Sequence, residues 1–338
     1  MLQIAGGFLA MVLGFIVGSR ESRRRMTGLL IGTGARGGPT VAAKAMVTMA
    51  LVILAAAPSL TTAALQLEGL DAIARYMMLA GASLLHLFVL SGIGVATGLW
   101  LGSSRFGLTA VAFAWGMGVL IFPRMADVVA EQAFPLTQAE LSAVIASDFK
   151  QGPDGHAETK ANEVFERTIL REYGVETREE LPLNFDALLM QADEVYRGGV
   201  YDRRLTEAAA VREAQDRFRR IAWIFSPTPV MLDLSAQIAS ADAGSQRNFE
   251  ESAEAFRRDL VGRLNQHMAV NSKSGDWAWT PEDGYFASFK AFQPPAATLV
   301  DGLPKLIPGG LALLIWCLAT LLLLVLSGRR FDARAELL

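Results

Sequence analysis

Gly32, Gly34 and Gly37, inside the stretch GLLIGTGARGGPT (residues 28–40), stand at the G-x-G-x-x-G spacing that lets a backbone turn close on a pyrophosphate. That chemistry needs a buried strand before the turn, a helix N-terminus after it, and an acidic residue roughly 20 positions on for the ribose. Arg23, Arg24, Arg25, Met26 and Thr27 come before it, which leaves only Leu29 to Ile31 as strand. After Pro39 the chain is apolar from Val41 to Ala57, and the next acid is Glu68. No βαβ rhythm follows. The spacing predicts a solvated loop, not a nucleotide site.

Other reactive constellations are missing from the sequence. His86, His156 and His267 are far apart, and no H-E-x-x-H, C-x-x-C, G-x-S-x-G or G-x-x-x-x-G-K-[ST] pattern occurs. No catalytic group, metal site or cofactor is expected, and ATP would have to bind on another chain. The lone Cys317 lies in an apolar run, so no intrachain disulfide is possible. A formal net charge of −3 gives no nucleic-acid signal. Two features remain. His86 lies in an apolar run, where an ionisable side chain defaults to function; the alternative is a neutral imidazole bonded to a carbonyl of a neighbouring helix. Gly94, Gly98 and Gly102 form a small-xxx-small ridge for close helix approach, within the chain or at a protomer seam.

The elements that carry these residues are set by apolar run length. The chain has 338 residues, 52% hydrophobic and 19% charged, with mean hydropathy +0.31. The apolar residues gather in runs of about 20, the length that crosses a bilayer core as helix. The runs are Leu2 to Val17, Val41 to Leu65, Tyr76 to Leu101, Phe106 to Phe122 and Gly309 to Leu326. The predicted fold class is an all-α polytopic membrane protein with five transmembrane helices and a mostly helical extracytoplasmic domain. The first run has no Lys or Arg ahead of it, so it lacks the form of a cleavable signal peptide.

Basic residues set the expected orientation. Arg20, Arg23, Arg24, Arg25, Arg36 and Lys44 face the single acid Glu21 between the first two runs; Arg105 and the pair Arg329-Arg330 mark two further segments. Placing all of these in the cytoplasm puts the N-terminus and residues 125–303 outside and the C-terminus inside. The expected domains are 1–124, with four spans and a cytoplasmic segment at 19–40; 125–303, an outer helical domain; and 304–338, the last span and tail. The stretch Ile221 to Ala239 competes as a span, but Pro227, Pro229, Asp233 and Gln237 interrupt it. It reads as two soluble helices around a proline break, resting on the membrane surface.

Within 125–303, helical periodicity covers Glu158 to Tyr173, Phe185 to Phe225 and a stripe of Phe249, Ala253, Phe256, Leu260 and Leu264. Thr137 with Glu140 has capping-box spacing, and turns are expected at Gly174, Gly198-Gly199 and Ser226-Pro227. Trp277, Trp279, Tyr285, Phe286, Phe289 and Phe292 read as interface anchors or a packed cap, with a substrate groove as the alternative.

The order of parts resembles ABC-2 type transporter permeases. In that family an Arg- and Glu-rich stretch and a G-x-L-x-x-L-L type turn precede a Lys-led helix, matched here by Glu21, Arg23 to Arg25, Gly28, Leu29, Leu30 and Lys44. The segment Phe225 to Leu260 is similar to the S-P-[apolar]…F-x-x-x-x-x-x-F-R pattern of a subgroup with a large extracytoplasmic domain of undescribed function. The resemblance implies a permease in the bacterial inner membrane, with export as the expected direction. It would pair with a second copy or related permease and couple to a separate ABC ATPase subunit through Glu21, Arg23, Arg24, Arg25, Thr27 and Gly28. Arg23 to Arg25 also suit anionic lipid head groups. The family has six spans and an inside N-terminus, so the first family span is expected to be missing here, through a late start assignment or a shortened form. The rival expectation is a membrane-anchored interaction protein acting through its outer domain.

Overall fold

The computed structural model describes residues 2–20, 32–102, 105–295 and 298–335. Among them every regular element is helical. Contacts divide the chain into two compact units, one made of residues 1–129, 217–245 and 297–338, the other of 130–216 and 246–296.

The first unit holds the apolar helices. A π-helical turn, Leu2–Gly6, leads into α1 (Gly7–Ser19); α2 (Gly37–Ala64) and α3 (Leu70–Leu101) follow. α4 (Arg105–Gly116) runs through a second π-helical turn, Met117–Ile121, into α5 (Phe122–Ala133). The last helix, labelled α12 below, is Leu299–Ala335. Among the described residues four helical stretches are long and apolar enough to cross a membrane: Gly37–Ala64, Leu70–Leu101, Phe106–Phe149 and Leu299–Ala333. The third of these includes a non-helical break at 134–137. Gln3–Ser19 is apolar but shorter. Leu54, Phe113, Ile315 and Leu322 stand on outward faces, more than half exposed, as lipid-facing side chains do.

α3 is the central post of this unit. It packs against α1 most extensively, then against α12 and α2. Glycines make the first contact possible. A Cβ added at Gly94 or Gly98 would lie 2.2 Å from Met11 O or 2.4 Å from Phe15 O, and one at Gly14 or Gly18 would lie 2.3 Å from Ser91 O or Val95 O. Glycines on both helices thus let the backbones touch, and van der Waals packing holds the pair.

The second unit is built from α6 (Gln138–Phe149), α7 (Lys160–Tyr173) and parts of two long helices, α8 (Phe185–Arg219) and α11 (Ala243–Asn271). Thr137 caps α6: its hydroxyl accepts the Glu140 N–H at 3.1 Å and donates to the Glu140 carboxylate at 2.7 Å. Gly174 ends α7 in the left-handed conformation, φ +68°. Gly198-Gly199, expected as a turn, lies inside α8 instead. There the missing side chain admits the Arg258 guanidinium, whose Cζ would be 3.1 Å from a Cβ at Gly198. The expected helix from Phe185 to Phe225 ends at Arg219, followed by a short turn of helix.

The aromatic segment packs as a cap on α11. Phe292 meets Phe249 and Phe256 at centroid distances of 5.7 and 5.5 Å, and the His267 ring stacks on Tyr285 at 4.0 Å. Trp277 and Phe286 stay exposed.

Candidate functional site

The stretch Ile221 to Ala239 forms α9 (Ala222–Phe225) and α10 (Pro227–Ile238), so the proline break falls where the sequence puts it. Ser226 caps α10, accepting the Thr228 N–H at 3.2 Å, and Pro227 fills the first helical position, where no N–H is needed. The expected surface location is corrected. Val230, Met231, Leu234 and Ile238 are all buried, and α10 packs against α3 and α12. Leu234 fits because a Cβ at Gly309 would stand 2.8 Å from its Cδ2.

Two polar contacts fix the level of α10 along α3. Near its start, Thr228 Oγ1 lies 3.2 Å from His86 Nε2. At its end, the Arg75 guanidinium donates to Ile238 O and, at 2.8 Å, to Ser240 Oγ. Helical rise puts His86 about 16 Å from Arg75 and Thr228 about 15 Å from Ile238, so the two helices lie side by side and antiparallel. His86 is the seventeenth of the 32 residues of α3. On α12, Trp316 donates its indole N–H to Trp223 O at 2.8 Å, and Trp316 is the eighteenth of 37 residues. The α9–α10 turn therefore lies level with the midpoints of both long helices. Twelve residues of helix reach about 18 Å, short of the ~30 Å bilayer core. α10 covers the half of α3 between His86 and Arg75 and no more.

The surroundings of α10 are unusual as well. Both π-helical turns pack against it. In the first, Gln3 Nε2 donates to Ser235 Oγ at 3.2 Å; in the second, Gly118 sits where a Cβ would be 3.2 Å from Ser226 Oγ. π turns concentrate at functional positions, and irregular backbone at membrane depth needs protein or a cavity around it. His86, fully buried, keeps one unpaired ring nitrogen, Nδ1. Its partner is the Thr228 hydroxyl, where a carbonyl was one of the two alternatives.

The opposite end of the unit is clamped. Lys44 Nζ, buried on α2, donates to Val17 O at 2.7 Å in the last turn of α1. A cation there meets the carbonyl end of the helix, where the macrodipole favours it. Asp332 on α12 accepts the Gly37 N–H at 2.6 Å, capping α2. Gly37 is required for that approach: a Cβ would stand 2.0 Å from Gly328 O. Trp100 on α3 donates to Ser327 Oγ at 3.0 Å, with the Arg330 guanidinium 5.2 Å from its ring. The ends of α1, α2, α3 and α12 are thereby fastened together.

The remaining sequence candidates fall as follows. Glu21, Arg23, Arg24, Arg25, Thr27 and Gly28 lie outside the described residues. Gly94 and Gly98 face α1 of the same chain. Gly102 is off that ridge: at φ +69° it caps α3, its N–H bonded to Gly98 O. Gly34 also has positive φ, +79°, and neither it nor Gly32 has a neighbour where a side chain would stand. Lys44, Asp332, Arg75 and Thr228 were not singled out as site residues. The local signals for α10 are the Ser226-Pro227 start and the apolar spacing Val230, Met231, Leu234, Ile238.

What these features define is an all-helical protein of transmembrane character with a half-length helix folded into its apolar unit. Residues 138–285 match a family model described as a domain of unknown function, DUF3526. That match spans α6 to the aromatic segment and includes α10. No curated protein matches the chain, and no solved structure does.

Proposed function

We propose that the chain is the membrane-spanning permease subunit of an ATP-driven ABC-2 type transporter of the bacterial inner membrane, working in the export direction. It acts beside a second permease, and ATP is hydrolysed on a separate ATPase subunit. The support is the sequence resemblance at residues 21–44 and 225–260, joined by one structural observation. The two helix ends flanking segment 20–36 are each tied to a different helix, Lys44 to Val17 O and Asp332 to the Gly37 N–H. A push on that segment is delivered to α1, α2 and α12 together. The glycine contact carries it from α1 to α3, and the His86 and Arg75 bonds carry it from α3 to α10. In this reading Leu2–Ser19 is a fifth span, about 27 Å long as helix. The N-terminus and residues 130–216 and 246–296 face outward, and α10 is the element whose displacement opens a path.

The test is a pull-down of the C-terminally tagged chain from detergent-solubilised native membranes. A stoichiometric ATPase with vanadate-sensitive turnover is expected, and deleting residues 20–38 abolishes its recovery while leaving membrane insertion intact. Envelope proteins without an ATPase would instead make the chain an anchored interaction module.

A further inference from the structure

α8 and α11 run together where Arg258 donates to Asp202 at 2.8 and 2.9 Å and to Glu254 at 2.9 Å. Arg257 adds bonds to Glu254, at 2.7 Å, and to Glu194. Beyond this ladder the helices leave a groove of about 900 Å³, in the size range of small-molecule sites. Its floor is apolar or small: Tyr201, Leu205 and Ala209 on α8, Ala255 on α11. Tyr201 and Leu205 remain 41% and 46% exposed, so the chain does not fill the groove itself.

The rim carries charge of both signs. Arg212 on α8 and Arg247 on α11 line the groove, and among the described residues neither has an ion-pair partner. Glu250 and Glu251 line it beside them; Glu250 accepts only an amide N–H from Gln246, at 2.8 Å, and Glu251 has no partner among the described residues. Arg257 and Arg258 are matched within the chain. Arg212 and Arg247 are not paired among the described residues, and two carboxylates line the groove with them. A simple anion would meet Glu250 and Glu251, and a simple cation would meet the arginines. A dipolar head group satisfies both sets.

We propose that this groove binds a zwitterionic amphiphile, with a phosphate-type anion on Arg212 and Arg247. Its ammonium lies against Glu250 and Glu251, and its apolar chain lies over Leu205 and Tyr201. The site is independent of any ATPase, so it stands or falls apart from the transport reading.

The full-length chain in maltoside micelles provides the assay, with Thr206→Cys at the groove edge carrying an environment-sensitive fluorophore. The one native cysteine, Cys317, is 6% exposed and escapes labelling. Dihexanoylphosphocholine, kept below its micelle concentration, should give a saturable emission shift, and hexyl maltoside none. Arg212→Gln/Arg247→Gln and Glu250→Gln/Glu251→Gln should each weaken binding by about tenfold or more, since each removes two charge-assisted contacts. These rim side chains hold no ion pair, so both variants should keep the parent melting temperature. No saturable shift would overturn the proposal. So would an equal response to hexyl maltoside, or tighter binding of dihexanoylphosphatidic acid that the glutamate substitutions improve.

Discussion

His86 Nε2 and Thr228 Oγ1 lie 3.2 Å apart with both side chains sealed from solvent, joining the middle of α3 to the first turn of α10. With Nδ1 unpaired, the less costly tautomer protonates Nε2, which donates to Thr228, because a bare acceptor is better tolerated than an orphaned N–H. Thr228→Val keeps the shape and leaves the imidazole with no partner. The expected cost is about 1–3 kcal/mol, read as a lower melting temperature in detergent. Thr228→Ser should melt like the parent. A valine variant as stable as the parent would show that the bond contributes nothing.

Gly94 tests the α1–α3 contact. Gly94→Ala puts a methyl 2.2 Å from a backbone oxygen that cannot rotate away, so the helices must separate. Overpacking of this kind costs about 1–3 kcal/mol or more. Gly38→Ala, where nothing lies within 4 Å, is the control. Gel filtration of the two variants should show loss of the monodisperse species for the first only.

Lys44→Met removes the donor on Val17 O while keeping most of the apolar stem. Under the transport reading, the variant should still co-purify with its ATPase but lose much of the chain's effect on ATP turnover. Retained stimulation would mean that this clamp does not carry the coupling.

Acid should loosen the α8–α11 ladder. The Arg257 hydrogen bond, helped by Arg258, holds Glu254 down to about 2, and Arg258 lowers Asp202. A depressed carboxylate contributes stability above its unfolded pKa and loses it as pH falls through the folded one. For Glu254 that window runs from about 4.5 to about 2. Thermal melts across that range should fall with pH, and the fall should be shallower in Glu254→Gln. Identical slopes would remove Glu254 from the account.

The sequence reported local matters faithfully. Run length marked four of the five expected spans as helices long and apolar enough to cross a membrane; Thr137 with Glu140 and Gly174 marked helix ends because their bonds close within a few residues. What it hid depends on partners far along the chain. Lys44 was legible as a positive charge but not as a cap on α1, because nothing near it names Val17. Gly198 looked like a turn because the reason for it, Arg258, lies 60 residues away. α10 looked like a surface helix because Asp233 and Gln237 dilute its hydropathy; Asp233 faces outward while Val230, Met231, Leu234 and Ile238 face inward. A twelve-residue helix is also too short to register as a span. The ATPase-contact candidates Glu21, Arg23, Arg24, Arg25, Thr27 and Gly28 lie outside the described residues.

The burial of α10 has a consequence for how the chain is made. Its two largest contacts are with α3, synthesised well before it, and with α12, synthesised last. Until α12 leaves the ribosome, Leu234 and Ile238 lack the neighbours Leu299, Leu306 and Leu313 that share their cluster in the finished protein. The nascent chain must carry a partly covered apolar helix for the length of α11 and the aromatic segment, a window in which an insertion chaperone would find its target.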